Sequence, residues 1–335
     1  MEKSILSHPT LIVIFAVTII IMLVIDLGVF NRKSHAISNK EAGVWSLIWI
    51  SLSMVFSGVI YWFFKDESQA LAIEKFTQFQ SAYWIEKALS VDNLFVFIIV
   101  FRFFNVPKEI HHKVLFWGII GALFFRAIFI FTGIGIVNLT YLPTMLIFDR
   151  AVSINVVLTL FGLFLIYAGF KSWFVEDDED DQKDFSKSPG AKIVHKLFKV
   201  SKNFDGDRFF TIENGIRLAT PLMVVIGVIE FTDLLFAVDS IPAIFAIAPN
   251  DPFILYTSNI FAILGLRALY FLLANFIHMF SKLKYGLAII LAFIGFKMVI
   301  APFFHISSPI SLAIVGGVLI FSLAISILFP EKESD

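Results

Sequence analysis

Three carboxylates, Glu230, Asp233 and Asp239, fall inside one apolar run at 218–248. An acidic side chain at the centre of a membrane helix costs about 2.5–3.5 kcal/mol even on a lenient insertion scale. Three together demand a compensating cation, proton or basic partner. Pro242 lies three residues past Asp239, and its missing N–H frees the Val238 carbonyl one residue before Asp239. Carboxylates beside a freed carbonyl, in a helix broken at mid-membrane, describe an oxygen-rich cation site. The bland alternative is a set of structural ion pairs with Arg or Lys between helices; three acids around a helix breaker favour function.

The pattern has an echo upstream, in Glu86-Lys-Ala-Leu-Ser-Val-Asp-Asn93. Glu86 and Asp92 are six apart, as are Asp233 and Asp239. The next apolar stretch carries Arg-Ala both times, at Arg126 and Arg267, and the one after carries Gly-Phe-Lys, ending at Lys171 and Lys297. Three features recurring in one order indicate a duplicated unit. Each unit holds three spans, so the second copy enters from the opposite side: a 3+3 inverted repeat, with a midplane site between discontinuous helices. Six residues on an ideal helix leave two side chains about 120° apart, so a break near Asp92 and Asp239 is expected to let the acids converge.

Glu86, Asp92, Asp233 and Asp239 are therefore the main metal-ligand candidates, with Glu230, Asn93, Ser240 and the Val238 carbonyl as lesser ones. Ser90 and Asn259 add further oxygens. Such donors suit magnesium, calcium and manganese, whereas zinc or copper favours His and Cys. The chain has no cysteine, which excludes disulfides, thiolate sites and thiol catalysis. His278 and His305 sit near span ends, where an interfacial place is expected. Asp26 reads as an interfacial acid. Arg126 and Arg267 read either as fixed structural pairs or as counter-charges for the acids. The structural reading is preferred because a guanidinium does not deprotonate. Lys171 and Lys297, near span ends, can snorkel.

The elements that must position these groups are membrane helices. The 335 residues are 58% hydrophobic and include 41 Phe, with mean hydropathy +0.86. An all-α polytopic membrane protein is the fold class. Nine spans of about twenty residues are expected, at 11–30, 44–64, 83–104, 115–137, 152–174, 218–248, 253–276, 285–304 and 309–329. The organisation is then two N-terminal helices (1–64), a first repeat (65–175), a charged loop (176–216), a second repeat (217–304) and a last helix with a short tail (305–335). The first span has no strongly basic start and no small-residue cleavage site, so it is expected to be retained.

Loops after the odd-numbered spans carry most of the basic loop residues, among them Arg32, Lys108, Lys192 and Lys284, against Lys65, Lys75 and Arg150 on the other side. The odd loops and the C-terminus are therefore expected in the cytoplasm, with the N-terminus outside. The loop 176–216 opens with the acid run Glu176-Asp-Asp-Glu-Asp-Asp181 and turns basic near 191–200. Ile193, Leu197 and Val200 lie on one side of a helical pattern, and Lys192, Lys196 and Lys199 on another. A basic amphipathic helix on the membrane surface and a solvated linker are equally consistent with this.

These residues carry a family resemblance. Ile85-Glu-Lys-Ala-Leu-Ser-Val-Asp-Asn93, Ala219-Thr-Pro-Leu-Met223, Asp233-Leu-Leu-Phe-Ala-Val-Asp-Ser-Ile-Pro-Ala243 and Thr257-Ser-Asn-Ile-Phe-Ala-Ile-Leu-Gly-Leu-Arg-Ala268 resemble the TerC family of integral membrane proteins, its Alx branch in particular. The resemblance implies a bacterial inner-membrane protein of a family named for tellurium-resistance clusters, in a branch linked to manganese(II) export and alkaline pH response. It places Glu86, Asp92, Asp233 and Asp239 on the family's intramembrane acids. The acids would repel a tellurite oxyanion; only Arg126 and Arg267 would attract one.

A divalent-cation exporter, with manganese first and possible proton exchange, is one expectation. A membrane scaffold for metal delivery, tellurium resistance or envelope stress is the other. The lipid bilayer and a transported divalent ion are the expected partners, with protein partners through 176–216, no nucleic acid and no resident cofactor. An enzyme is not expected, because no His-Glu-x-x-His or Gly-x-Ser-x-Gly lies at membrane depth.

Overall fold

The structure, a computed structural model, describes residues 9–30, 39–147, 150–174, 184–249, 251–275, 283–304 and 306–329. At Asp26, Asp92, Val238 and Asp239 only the backbone belongs to this description. The acid run 176–181 and the two histidines expected at span ends, His278 and His305, lie outside it.

Two helices open the chain, α1 (Pro9–Phe30) and α2 (Asn39–Phe64), followed by the long α3 (Gln69–Phe103) and by α4 (His111–Leu139). A small antiparallel pair, β1 (Met145–Ile147) and β2 (Arg150–Val152), precedes α5 (Val156–Phe174). Then come α6 (Pro189–Leu197), the antiparallel pair β3 (Phe210–Glu213) and β4 (Ile216–Ala219), and α7 (Pro221–Phe245). The chain ends with α8 (Pro252–Leu264), α9 (Leu266–Asn275), α10 (Leu283–Ile300) and α11 (Ser308–Leu328).

Among the described residues six helices are long and apolar enough to cross a membrane: α2, α4 with its preceding turn, α5, α7, α10 and α11. The bent pair α8–α9 adds a seventh if it is one span. Helices run through every stretch expected to span, yet the expected nine are not reached on this criterion. The apolar part of α1, Pro9–Ile25, is short, and α3 carries Glu74, Lys75, Glu86, Lys87, Asp92 and Arg102.

The side chains turned outward are those lipid can solvate: Ile20, Phe124, Phe170 and Ile320 are 60%, 63%, 63% and 73% exposed. The polar helix is inside. α3 is packed by α2, α7, α8, α9 and α11, and its Lys75, Gln80, Ser81, Glu86, Lys87 and Ser90 are all buried. Hydrocarbon offers no partners to such groups, so protein must surround them.

The tightest pairing joins α5 to α10. A Cβ at Gly162 would lie 2.8 Å from the Gly295 carbonyl, and one at Gly169 would lie 2.6 Å from that of Ala288. Contacts running 162 to 295 and 169 to 288 make the two helices antiparallel. Small residues allow this backbone approach in the absence of a hydrophobic drive between helices. Gly295→Ala is expected to cost about 1–3 kcal/mol through overpacking. Melting in detergent should show it against Gly316→Ala, where an added Cβ meets nothing within 4 Å. Equal melting of the two variants would mean that this contact is loose.

The expected interruption near Asp92 and Asp239 is absent. α3 is helical across Asp92, and α7 is helical across Pro242, with the Ala246 amide bonding the Pro242 carbonyl at 3.2 Å. The proline falls in the last turn of α7, where one lost bond does not break the helix. The Val238 carbonyl expected as a ligand belongs to the helical backbone of α7, one turn before Pro242, which has no N–H to offer it. The elbow is instead at Gly265, where α8 and α9 bend by 41°.

The basic part of the charged loop forms the helix α6, which docks on α7 by a third face, neither the expected apolar side nor the lysines. Gly190, Ala191 and Val194 of α6 face α7, whereas Ile193 and Leu197 are exposed. Val200 has left the helix and bridges Ala219.

Candidate functional site

The centre of the bundle is built on Arg126 of α4, which is fully buried. Its guanidinium grips Asp233 of α7 with two bonds, Nη2 to Oδ1 at 3.0 Å and Nε to Oδ2 at 3.3 Å. Its Nη1 donates to Glu86 Oε1 of α3, and reaches Ser240 Oγ at 3.5 Å. Ser90 Oγ donates to the same Glu86 oxygen at 3.3 Å. The planar fork explains why arginine occupies this position: it serves two carboxylates in fixed directions, which an ammonium cannot do.

Local helix geometry supplies the set. Glu86 and Ser90 are one turn apart on α3, and Asp233 and Ser240 are two turns apart on α7. One guanidinium thus serves two carboxyl groups. Glu86 Oε2 has no hydrogen-bond partner among the described residues. A third carboxyl adjoins the set: Glu230, one turn before Asp233, lies where a Cβ on Gly121 of α4 would stand, its Oε2 buried and without a partner among the described residues. Asn259 of α8 is fully buried with neither amide atom bonded among the described residues. Asn93 is buried on α3.

The structure thus brings together Glu86, Asp233, Ser90, Ser240 and Arg126, with Glu230 beside them. On unbroken helices the Cα atoms of Asp92 and Asp239 are turned about 120° from those of Glu86 and Asp233. Their side chains lie outside the described residues. Among the described residues no group of three His, Asp or Glu side chains is arranged to hold a metal ion.

Several polar residues of this core were not singled out from the sequence. Lys75 was counted among the loop cations but belongs to α3. It is buried and meets Asp251 Oδ2 at 2.9 Å. Asp251 also caps α8, accepting from the Ile254 amide at 3.1 Å. The Asp-Pro pair at 251–252 is a helix-start signal that could have revealed this. Lys87 donates to the Ala262 carbonyl at 3.3 Å, at the elbow that leads into Arg267. A Cβ on Gly265 would stand 2.6 Å from Lys87 Nζ, so glycine at the bend admits the ammonium. Arg267 is buried. Near the opposite ends of these helices, Lys113 of α4 meets Asp207 Oδ2 at 2.9 Å and holds that carboxyl below the usual range.

Residues 71–334 match the Integral membrane protein TerC family. The chain belongs to the TerC family. It is 42% identical over 314 residues to the Escherichia coli (strain K12) protein named "Putative membrane-bound redox modulator Alx", covering 93% of this chain and 92% of that one. It is 41% identical over 327 residues to "Uncharacterized membrane protein STKORF319" of Myxococcus xanthus, covering 96% and 94%. No solved structure matches the chain. The TerC match covers α3 to α11 and therefore every residue of the Arg126 cluster. An all-α, multi-pass membrane protein with bacterial relatives is what family and fold agree on.

Proposed function

We propose that this TerC-family protein exports divalent cations, manganese(II) foremost, across the bacterial inner membrane, in exchange for protons. The observation that carries the reading is the seat of Arg126. A guanidinium stands between a carboxylate of α3 and a carboxylate of α7, and its charge does not cover both. A buried site with excess negative charge attracts cations, and oxygen donors select the hard divalent ones. Arg126 is the internal counter-charge that fills the seat between cargo ions.

The inverted repeat expected from the sequence echoes would fit the same reading. A two-fold relation exchanging α3 with α7, α4 with α8 and α5 with α10 maps the α3–α8 contact onto α4–α7. It maps the antiparallel α5–α10 pair onto itself. Glu86 and Asp233 come from the two lead helices, as a midplane site between repeats requires.

Everted membrane vesicles test the proposal. Manganese should accumulate inside them and draw protons out, ahead of calcium, magnesium and zinc. If folded protein in the vesicles moves none of the four, the export reading fails and the scaffold reading takes its place. Orientation has its own check. A lone cysteine at Lys202 should escape an impermeant maleimide on intact cells and react after lysis; labelling of intact cells would reverse the topology.

A further inference from the structure

We propose that α6 is a membrane-surface anchor, with an apolar flank in the outer acyl layer beside α7 and its lysines among anionic lipid headgroups. The proposal rests on α7 being a membrane span and is independent of what the protein transports.

The docking of α6 sets its depth. The Gly190 backbone abuts the Gly227 carbonyl and the Phe231 Cβ, and Val194 Cγ2 fills the space where a Gly227 Cβ would stand. Gly227 and Phe231 are six and ten residues past Pro221, the first residue of α7. At 1.5 Å per residue the contact lies about 9–15 Å along a span-length helix. α6 therefore lies against the flank of a spanning helix, below that helix's start.

The exposed surface of α6 has the chemistry of that depth. Successive residues turn by about 100°. Ile193 and Leu197, 52% and 67% exposed, directly adjoin the docked face of Gly190, Ala191 and Val194. Lys192 and Lys196 come next around the helix, and all of these residues are exposed. Phe198, 39% exposed, and the exposed Lys199 continue the pattern past the helix end. An apolar flank beside a spanning helix, rimmed by lysines that can snorkel upward, fits an anionic lipid surface. Because α6 is seated on Gly227, one turn before Glu230, the anchor ties the lipid surface to the helix that carries Asp233.

The cysteine-free chain permits a direct test with the full-length protein in nanodiscs. Single cysteines at Ile193, Leu197 and Lys192 would carry nitroxide labels, in phosphatidylcholine with and without phosphatidylglycerol. The labels at 193 and 197 should collide more with oxygen than with a nickel chelate, and the label at 192 the reverse. Phosphatidylglycerol should deepen the contrast severalfold, and K192Q/K196Q/K199Q, with the label kept at 197, should remove that gain. Ready access of the nickel chelate to 193 and 197 in both lipids would overturn the proposal. Access in nanodiscs combined with protection in native membranes would overturn it in favour of a protein partner. Oxygen preference at 197 without any phosphatidylglycerol dependence would overturn the anionic part.

Discussion

Arg126→Met is expected to deprive the membrane of most of its folded protein. Removing one partner of a buried ion pair costs about 3–5 kcal/mol, because the charge left behind has neither water nor a partner. Here two carboxylates, Glu86 and Asp233, are left. A native protein's whole margin is about 5–15 kcal/mol, so the loss takes a large part of it. The measurement is the monodisperse fraction and melting temperature in detergent. Arg126→Met combined with Glu86→Gln and Asp233→Asn removes every charge of the cluster and should restore folding without restoring transport. Arg126→Lys should be intermediate, since an ammonium cannot keep the paired bonds to Asp233. Normal yield and melting of the single Arg126→Met variant would show that the cluster does not hold the helices together. If that variant also lost transport, the counter-charge role would stand alone.

Asp92→Asn and Asp239→Asn are each expected to abolish export while the fold persists. The amide keeps the shape and one carbonyl oxygen but removes the charge that a hard cation needs. Loss of about a hundredfold or more in manganese affinity is expected, exceeding the 10–100-fold typical of changes one shell further out. Glu86 and Asp233 would correspond in the proposed inverted repeat, and Arg126 joins them. Asp92 and Asp239 would correspond in the same way, so the two-fold relation is expected to bring them to one ion. Glu86→Gln and Asp233→Asn should behave differently, lowering stability as well as transport because they strip Arg126 of a partner. Cells lacking their own manganese exporters, challenged with excess manganese, give the readout. Protection by both Asp92→Asn and Asp239→Asn at normal expression would exclude the midplane site.

The acid motifs, the Arg-Ala and Gly-Phe-Lys echoes and the apolar stretches were legible because each is local and membranes punish stray charge. A carboxylate at mid-membrane declares itself by its cost, whatever surrounds it. The same rule misplaced the start of α3. Expected at 83, it begins at Gln69, because Glu74, Lys75, Gln78 and Gln80 read as loop residues. Lys75 finds Asp251 from α8, and Gln80 finds Ser57 of α2 at 2.6 Å. Those partners are 176 and 23 residues away in sequence, so no local pattern could announce them. The amphipathic pattern of α6 was legible, but its seat was not: a glycine-to-glycine approach to α7 sets it. The helix break was assigned to Pro242 from its missing donor, yet packing keeps α7 helical and places the elbow at Gly265. The amino-acid sequence by itself determined the membrane class, the family and which acids are candidates. Only the tertiary structure decided that Arg126 stands between Glu86 and Asp233. Partner choice in a low-dielectric core depends on which helices touch, and that is a property of the whole bundle.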